Sequence, residues 1–478
     1  MIRILFLLLT VSSLSATAQT TRSLNLEECI NIALDNNLRV KRGYYNVRSG
    51  EIGLLQSRMA LLPSLNVGSS YGRNLGRAIN PVTNAFINRN TNFVNVQAAS
   101  NLTLFSGFRL SNSIRQSSRE LDATNFELVK ARNDVTLNVV TLYTNVIFNK
   151  ELVENARFQL QSSVEQLDRI VKQVAAGQLP MSNQLNQEAQ VASNEVNLIN
   201  QENALNLSLL QLKQAMQVPG SEAIDVVVPE IDAEDLVLEN TPEEVYAMAL
   251  QTMPEIQAAI SRVESARLAF QAARGGFSPR LSFNAVAQSN YSSISDMQRT
   301  AIDGVELGSN PIGAAVVNGV NQPVYAYQPV YKVVSPDYNL RDQLNDNLFK
   351  SLSLQLSIPL FNGLQTRTGV QRAAISKEVA QINRQEAENT LRQSIETAYS
   401  DALAASKTYG ASLKQVNARN EAYRMVKQRY EVGASNYVEY RIAETDLFQS
   451  RSDLARAKFN FIFRKKLLDF YQGKPIKL

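Results

Sequence analysis

This chain of 478 residues contains no histidine and a single cysteine, Cys29. Without histidine it lacks the commonest general base and the commonest metal ligand. One cysteine excludes a disulfide within the chain. Leu26, Cys29, Ile30 and Ala33 share one face at helical spacing, so Cys29 reads as a small core residue. No glycine-rich phosphate loop followed by Lys and Ser or Thr is present. Beyond the N-terminal segment, no stretch approaches the roughly 18 apolar residues that a membrane-crossing helix needs. A net charge of +4 gives no argument for nucleic acid. The charges are mixed along helical patterns rather than blocked, which is the sign of a solvated face. These absences predict neither an enzyme nor a binder of cofactor or metal.

What is present begins with an export signal. Arg3 supplies a positive flank, Ile4 to Leu9 an apolar run, and Ala16-Thr17-Ala18 a small-x-small cleavage site. Residues 1–18 are therefore read as a signal peptide, with the mature chain starting at Gln19. The apolar run is too short to span a bilayer as a helix. Any insertion of the exported chain into a membrane must then be made by strands.

The chain also repeats itself. Leu104-Phe105-Ser106-Gly107 returns as Leu360-Phe361-Asn362-Gly363. Each copy ends an alternating strand pattern and opens a long helical one, which breaks at Gly177 and at Gly433. Both intervals are 70 residues, a rod of roughly 105 Å at helical rise. Earlier in the chain, Glu27-Glu28 matches Glu243-Glu244, Ala33-Leu34 matches Ala249-Leu250, and Pro63 matches Pro279, always 216 residues apart. From Phe105/Phe361 onward the offset is 256. The 40-residue difference places an insertion between the two strands of the second repeat.

The order predicted for each repeat is helix, strand, strand, long helix, returning helix. Repeat one, residues 19–220, reads as helix 25–62, strand 64–72, polar loop 73–91, strand 93–105, helix 107–176, a turn at Gly177–Pro180 and helix 182–217. Residues 221–240 form an acidic linker with an extended stretch at Val226–Val228. Repeat two, residues 241–478, reads as helix to about 274, strand 280–290, a long polar loop 291–346, strand 347–358, helix 363–432 and helix 436–471.

Leu352, Leu354, Leu356, Ile358 and Leu360 alternate with Ser351, Ser353, Gln355 and Ser357. Leu281, Phe283, Ala285 and Ala287 alternate in the same way with small polar residues. One aliphatic face and one polar face suit a barrel wall between lipid and lumen, and equally a half-buried soluble sheet. Tyr71 and Tyr291 at one end, with Phe105 and Phe361 at the other, are placed as interfacial anchors. Four strands cannot close a barrel and open edges are not tolerated in lipid, so several copies must share one. The long helices carry apolar stripes and alanine-rich seams, including Val139, Val146, Ala402 and Ala405, that call for close helix neighbours.

These junctions, the duplicated element order and the paired glycine turns resemble the TolC family of outer-membrane efflux and export channels, over about residues 24–472. The resemblance implies a homotrimer with a twelve-stranded transmembrane β-barrel and a coiled-coil-like α-helical barrel in the periplasm, an α+β membrane protein. It implies an inner-membrane transporter as partner, reached through a periplasmic adaptor, and an extracellular position for the loop 291–346. Phe105, Gly107, Phe361 and Gly363 would form the strand-to-helix junctions. Gly177, Leu179, Val432, Gly433 and Ser435 would form the adaptor-docking tip. Asn183, Glu439 and Ile442 would line the entrance constriction. The family often has acids at these entrance positions, and only Glu439 is acidic here. The plain alternative for Glu439 is a solvated helix residue. The functional alternative for the whole chain is a periplasmic or surface coiled-coil spacer or adhesin.

Overall fold

A computed structural model describes residues 22–79, 86–229, 240–294 and 297–474. The proposed signal peptide and residues 230–239 of the linker 221–240 lie outside these residues. The chain forms two compact units. One holds residues up to Ile52, Ser117–Ala266 and Ile375–Leu478, and the other Gly53–Gln116 and Arg267–Ala374.

The first unit shows the duplication most plainly. Helix α1, Leu26–Asn36, starts at Asn25, whose side chain accepts from Glu28 N at 2.8 Å while the Glu28 carboxylate accepts from Asn25 N at 2.9 Å. Helix α5, Pro242–Thr252, starts with the same reciprocal cap, made by Thr241 and Glu244. Both helices stop at an extended residue, Asn37 and Met253, before α2 (Leu38–Met59) and α6 (Pro254–Arg274). The single helices predicted for 25–62 and for 241–274 are thus each two. The cause is local: the breaking residue leaves helical φ/ψ while its N–H still bonds Ala33 O or Ala249 O.

The long helices match in length. α3, Arg109–Ala175, and α8, Gln365–Glu431, have 67 residues each, about 100 Å of rise. The returning helices α4, Met181–Ala215, and α9, Tyr437–Tyr471, have 35 each. Strand β1, Arg22–Leu24, pairs in parallel with β6, Ile224–Val226. This pair, α1 and the middle of α3 enclose the main core of Leu24, Cys29, Ala33, Val139, Tyr143, Val146 and Ile147, joined by Leu212, Phe459 and Ile462. The Tyr143 hydroxyl donates to Val227 O at 2.6 Å, and Lys150 pairs with Asp225 at 2.8 Å. The same scheme recurs where Val245, Ala249 and Ile256 pack on Leu391 and Ile395 of α8. Burial pushes the Cys29 thiol up to about 12, so it is a neutral apolar filler at physiological pH, as its helical face indicates.

Part of the apolar stripe on the long helices is left uncovered by the described residues. Val164 and Val171 of α3, and Ile375, Val379 and Ile382 of α8, stay exposed.

The second unit centres on a four-stranded antiparallel sheet ordered β10-β7-β5-β2. Its strands are β2 (Ser64–Asn74), β5 (Thr91–Phe105), β7 (Arg280–Ser292) and β10 (Phe349–Ser357). The outer strands, β2 and β10, have one neighbour each. A short pair, β3 (Arg77–Ile79) with β4 (Phe86–Asn88), occupies part of the loop predicted at 73–91.

The stretch 291–346 differs from the predicted polar loop. It holds a long hairpin of β8 (Met297–Val317) and β9 (Val320–Asp337), then helix α7 (Leu340–Asp346). Asn318 and Gly319 turn it with φ of +52° and +79°, the two left-handed residues of a tight hairpin turn. Three glycines, four prolines and several register shifts break the period-2 pattern of β8 and β9, which is why alternation alone does not reveal them.

Candidate channel wall and helix tips

The strand register sorts the sheet into two unlike faces. On one face the cross-strand rows are Leu354–Phe283–Leu102, Leu352–Ala285–Ser100–Leu65 and Lys350–Ala287–Ala98–Val67, ending at Tyr291–Val94–Tyr71. On the other they are Gln355–Ser282–Thr103, Ser353–Asn284–Asn101–Ser64 and Asn290–Asn95–Ser70. Side-chain amides link across this polar face. Asn101 Nδ2 donates to Asn284 Oδ1 at 2.5 Å, and Asn284 Nδ2 to Gln355 Oε1 at 3.5 Å.

From Leu281 to Tyr291 the apolar face advances ten residues along β7, about 33 Å of strand. At a barrel tilt near 40° that is a rise of about 25 Å, the height of the apolar band on outer-membrane barrels. Leu65, Val67, Leu352, Leu354 and Leu356 are all 60–75% exposed, so the described residues leave them largely uncovered. Aromatic residues mark both ends. Tyr71 and Tyr291 stand at one; Phe105, Phe108, Phe277 and Phe361 gather at the other, all but Tyr291 well exposed.

At that second end the strands turn into helices through two left-handed residues each time. Gly107 and Phe108 have φ of +63° and +61°, and Gly363 and Leu364 +63° and +65°. The repeats differ in their surroundings. A Cβ on Gly107 would lie 2.4 Å from Ser278 Cβ and 2.6 Å from Gly275 O, whereas one on Gly363 would meet nothing within 4 Å. Gly363→Ala is expected to cost only the left-handed backbone penalty, about 1–2 kcal/mol. Gly107→Ala adds overpacking of about 1–3 kcal/mol. Thermal unfolding of the detergent-purified variants checks the order; an equal loss in both would contradict the close approach at Gly107.

The helix tips are built alike. After α3, Gly177 N bonds Val174 O at 2.9 Å and Gln178 N bonds Gln173 O at 2.9 Å. After α8, Gly433 N bonds Tyr430 O at 3.0 Å and Ala434 N bonds Arg429 O at 2.8 Å. Both are Schellman turns, with glycine φ of +73° and +77°. The returning helices are capped differently. Asn436 accepts from Glu439 N at 2.9 Å, while Pro180 starts α4 with no side-chain cap.

Above the tips lies a network that the sequence reading missed. Glu444 is 2% exposed. It accepts from Arg441 at 2.7 Å, from the Tyr440 hydroxyl at 3.0 Å and from Ser162 Oγ at 3.1 Å. Tyr440 stacks on Tyr430, with centroids 5.0 Å apart. Gln166 of α3 donates to the Tyr430 hydroxyl at 3.4 Å, and Tyr437 donates to Gln187 of α4. The α3/α4 and α8/α9 hairpins are therefore tied together by side chains of all four helices. Burial, then the nearby Glu444, pushes the Tyr440 hydroxyl far above its usual range. It stays a neutral donor.

The family model described as "Outer membrane efflux protein" matches residues 29–217 and 334–461. The chain belongs to this family. Its protein is thus an outer-membrane efflux protein of the TolC type, with its helical tunnel in the periplasm. Outer membrane protein TolC of Escherichia coli (strain K12) is 21% identical over 475 residues, covering 95% of this chain and 83% of that protein. The solved structure of CusC aligns with a TM-score of 0.74 at 15% identity, over 95% of this chain and 94% of that one. VceC of Vibrio cholerae aligns at 0.71 and 15%, over 95% and 97%. Members of this family are channel proteins.

Within this outer-membrane efflux protein, the named tip residues belong to the two turns that end α3 and α8. Gly177, Val432 and Gly433 are exposed; Leu179 and Ser435 are half-buried. Of the entrance residues, Asn183 is half-buried, while Ile442 and Glu439 are exposed. The Glu439 carboxylate accepts from Ser435 and Asn436 and stands 3.9 Å from Arg429. The sequence does carry a signal for the missed network: Tyr423, Tyr430, Tyr437 and Tyr440 crowd around the Gly433 turn.

Proposed function

We propose that three copies of this chain close one twelve-stranded barrel and form a passive exit duct across the outer membrane. A periplasmic adaptor docks at the tips and couples the duct to an inner-membrane transporter. The cargo is small molecules, as in tripartite efflux, or exported proteins, as in type I secretion. One observation carries this reading: the four-stranded sheet has a mainly aliphatic face of membrane height, interrupted by Lys350 and Ser100, an amide-lined opposite face and two open edges. Lipid tolerates no open edge, and neighbouring copies can supply the missing strands. The uncovered stripe of Val164, Val171, Ile375 and Ile382 has the same explanation in a wall of twelve helices. The extracellular side then receives the β8/β9 hairpin.

In this reading the adaptor meets Gly177, Leu179, Val432, Gly433 and Ser435. The entrance is set by Asn183, Glu439 and Ile442. Glu439 brings one acid per chain, repeated three times around the axis, and Arg429 beside it weakens its field.

Purified protein added to a planar bilayer is expected to give discrete, long-lived conductance steps. Its absence from detergent-extracted membranes, with recovery in the carbonate-soluble fraction, would favour the coiled-coil spacer. Gly433→Val tests the tip. A Cβ there meets no atom within 4 Å, but a β-branched residue at φ of +77° is strongly disfavoured. The variant is expected to reach the outer membrane at normal level and to lose export-dependent drug resistance. Unchanged resistance would count against docking at this turn.

A further inference from the structure

The β8/β9 hairpin is a long two-stranded ribbon whose residues 302–330 are nearly all exposed. Residues 297–333 of it lie outside the segments matched by the family model. Along β9, Pro323, Tyr325, Tyr327 and Pro329 fall on one face, opposite Ala314, Pro311, Leu307 and Val305 of β8. Val305, Leu307 and Tyr327 are 62%, 57% and 71% exposed. An apolar face of this length on a soluble surface marks a contact.

Three features choose its occupant. Prolines 311, 323 and 329 remove backbone donors from the strands, which discourages strand addition at the edges and leaves the face as the available surface. Between Ile302 and Val330 the only charged residues are Asp303 and Glu306, both acidic. An anionic membrane surface is repelled, and a charged partner finds no countercharge on the apolar face, since Glu306 sits opposite Gln328 on the other side. Finally, the hairpin leaves the sheet from β7 and returns through α7 to β10, the open edge strand. Ser289 Oγ donates to Leu344 O at 2.6 Å and Asn347 Nδ2 to Asn290 O at 2.8 Å, which pins α7 to β7. The root of the hairpin is thus held beside the boundary where a neighbouring copy must join.

We infer that the three hairpins of one trimer pack against one another by their Pro/Tyr faces, forming a self-made cap beyond the barrel rim. This inference rests on the trimeric reading above. Tethering three copies on one rim raises their mutual concentration to the millimolar range, so modest apolar contacts suffice. The cap would narrow the outer mouth to large solutes.

Single-cysteine variants test it in the full-length protein. The native Cys29 is fully buried and does not compete. Tyr327→Cys places a thiol on the Pro/Tyr face and Gln328→Cys on the opposite one, with Tyr325→Cys as a second probe of the first face. Oxidation on intact cells is expected to link a pair of chains in most Tyr327→Cys trimers. The yield for Gln328→Cys should be about fivefold lower or less, because thiols facing apart cannot reach disulfide geometry. Particle mass is measured on the same samples. Trimeric particles with no linkage at 327 and 325, with equal linkage on both faces, or with linkage only between separate trimers overturn the cap and leave the channel reading standing. Single-chain particles overturn both.

Discussion

Arginine in place of Leu354 is expected to abolish assembly in the outer membrane, while arginine at Ser353 is expected to leave it intact. The two residues are neighbours on β10, and their side chains point to opposite faces of the sheet. Leu354 stands in a row with Phe283 and Leu102. Ser353 stands in a row with Asn284 and Asn101. A charge on the lipid side costs about 2–4 kcal/mol at mid-depth and about 0–1 kcal/mol near the interfaces. Leu354 lies between the two, and in a threefold assembly the cost is incurred three times, about 5 kcal/mol, a large share of the stability of a typical domain. On the amide-lined face the same guanidinium stays in water. Recovery of detergent-resistant trimer from purified outer membranes measures the difference. Equal recovery would mean that the aliphatic face does not meet lipid.

The second large effect is expected at Glu444. Glu444→Gln leaves Arg441, whose side chain is 15% exposed, beside a neutral amide. Removing one partner of a buried pair costs about 3–5 kcal/mol. The hydrogen bonds from Tyr440 and Ser162 are also weakened, so the two helix hairpins lose their tie just above the tips. The expected result is a leaky entrance: larger open conductance in bilayers and greater sensitivity to bulky antibiotics. Glu439→Gln, on the exposed turn, changes an ion pair worth about 0–1 kcal/mol and should leave both readouts close to the parent. Adding Arg441→Met to Glu444→Gln removes the stranded cation and should restore part of the loss. Identical behaviour of Glu444→Gln and Glu439→Gln would show that the buried carboxylate does not hold the tips together.

The sequence made the duplication legible because its punctuation is local. Gly177 and Gly433 each occupy a left-handed helix end. Gly107 and Gly363 each open a long helix, and residue offsets alone align the repeats. The sheet faces were legible for the same reason, since strand alternation is a two-residue signal. What escaped depends on distant partners or on broken periodicity. The stop at Asn37 has no Pro or Gly to announce it, whereas the stop at Met253 is announced by Pro254, which disfavours helical φ/ψ in the residue before it. Arg22–Leu24 becomes a strand only because Ile224–Val226 lies beside it. Hairpin β8/β9 was hidden by its glycines, prolines and bulges, although Asn318-Gly319 between apolar neighbours is a strong hairpin signal. Glu444 looks like any helix acid until Ser162, 282 residues earlier, is brought to it.

The central claim is that one chain supplies an open sheet which only symmetric copies can seal. Native mass spectrometry of the detergent-extracted protein tests it most directly. The account predicts particles of three chains, with no stable smaller species. A monomer that keeps its fold and stays in solution without detergent would contradict it.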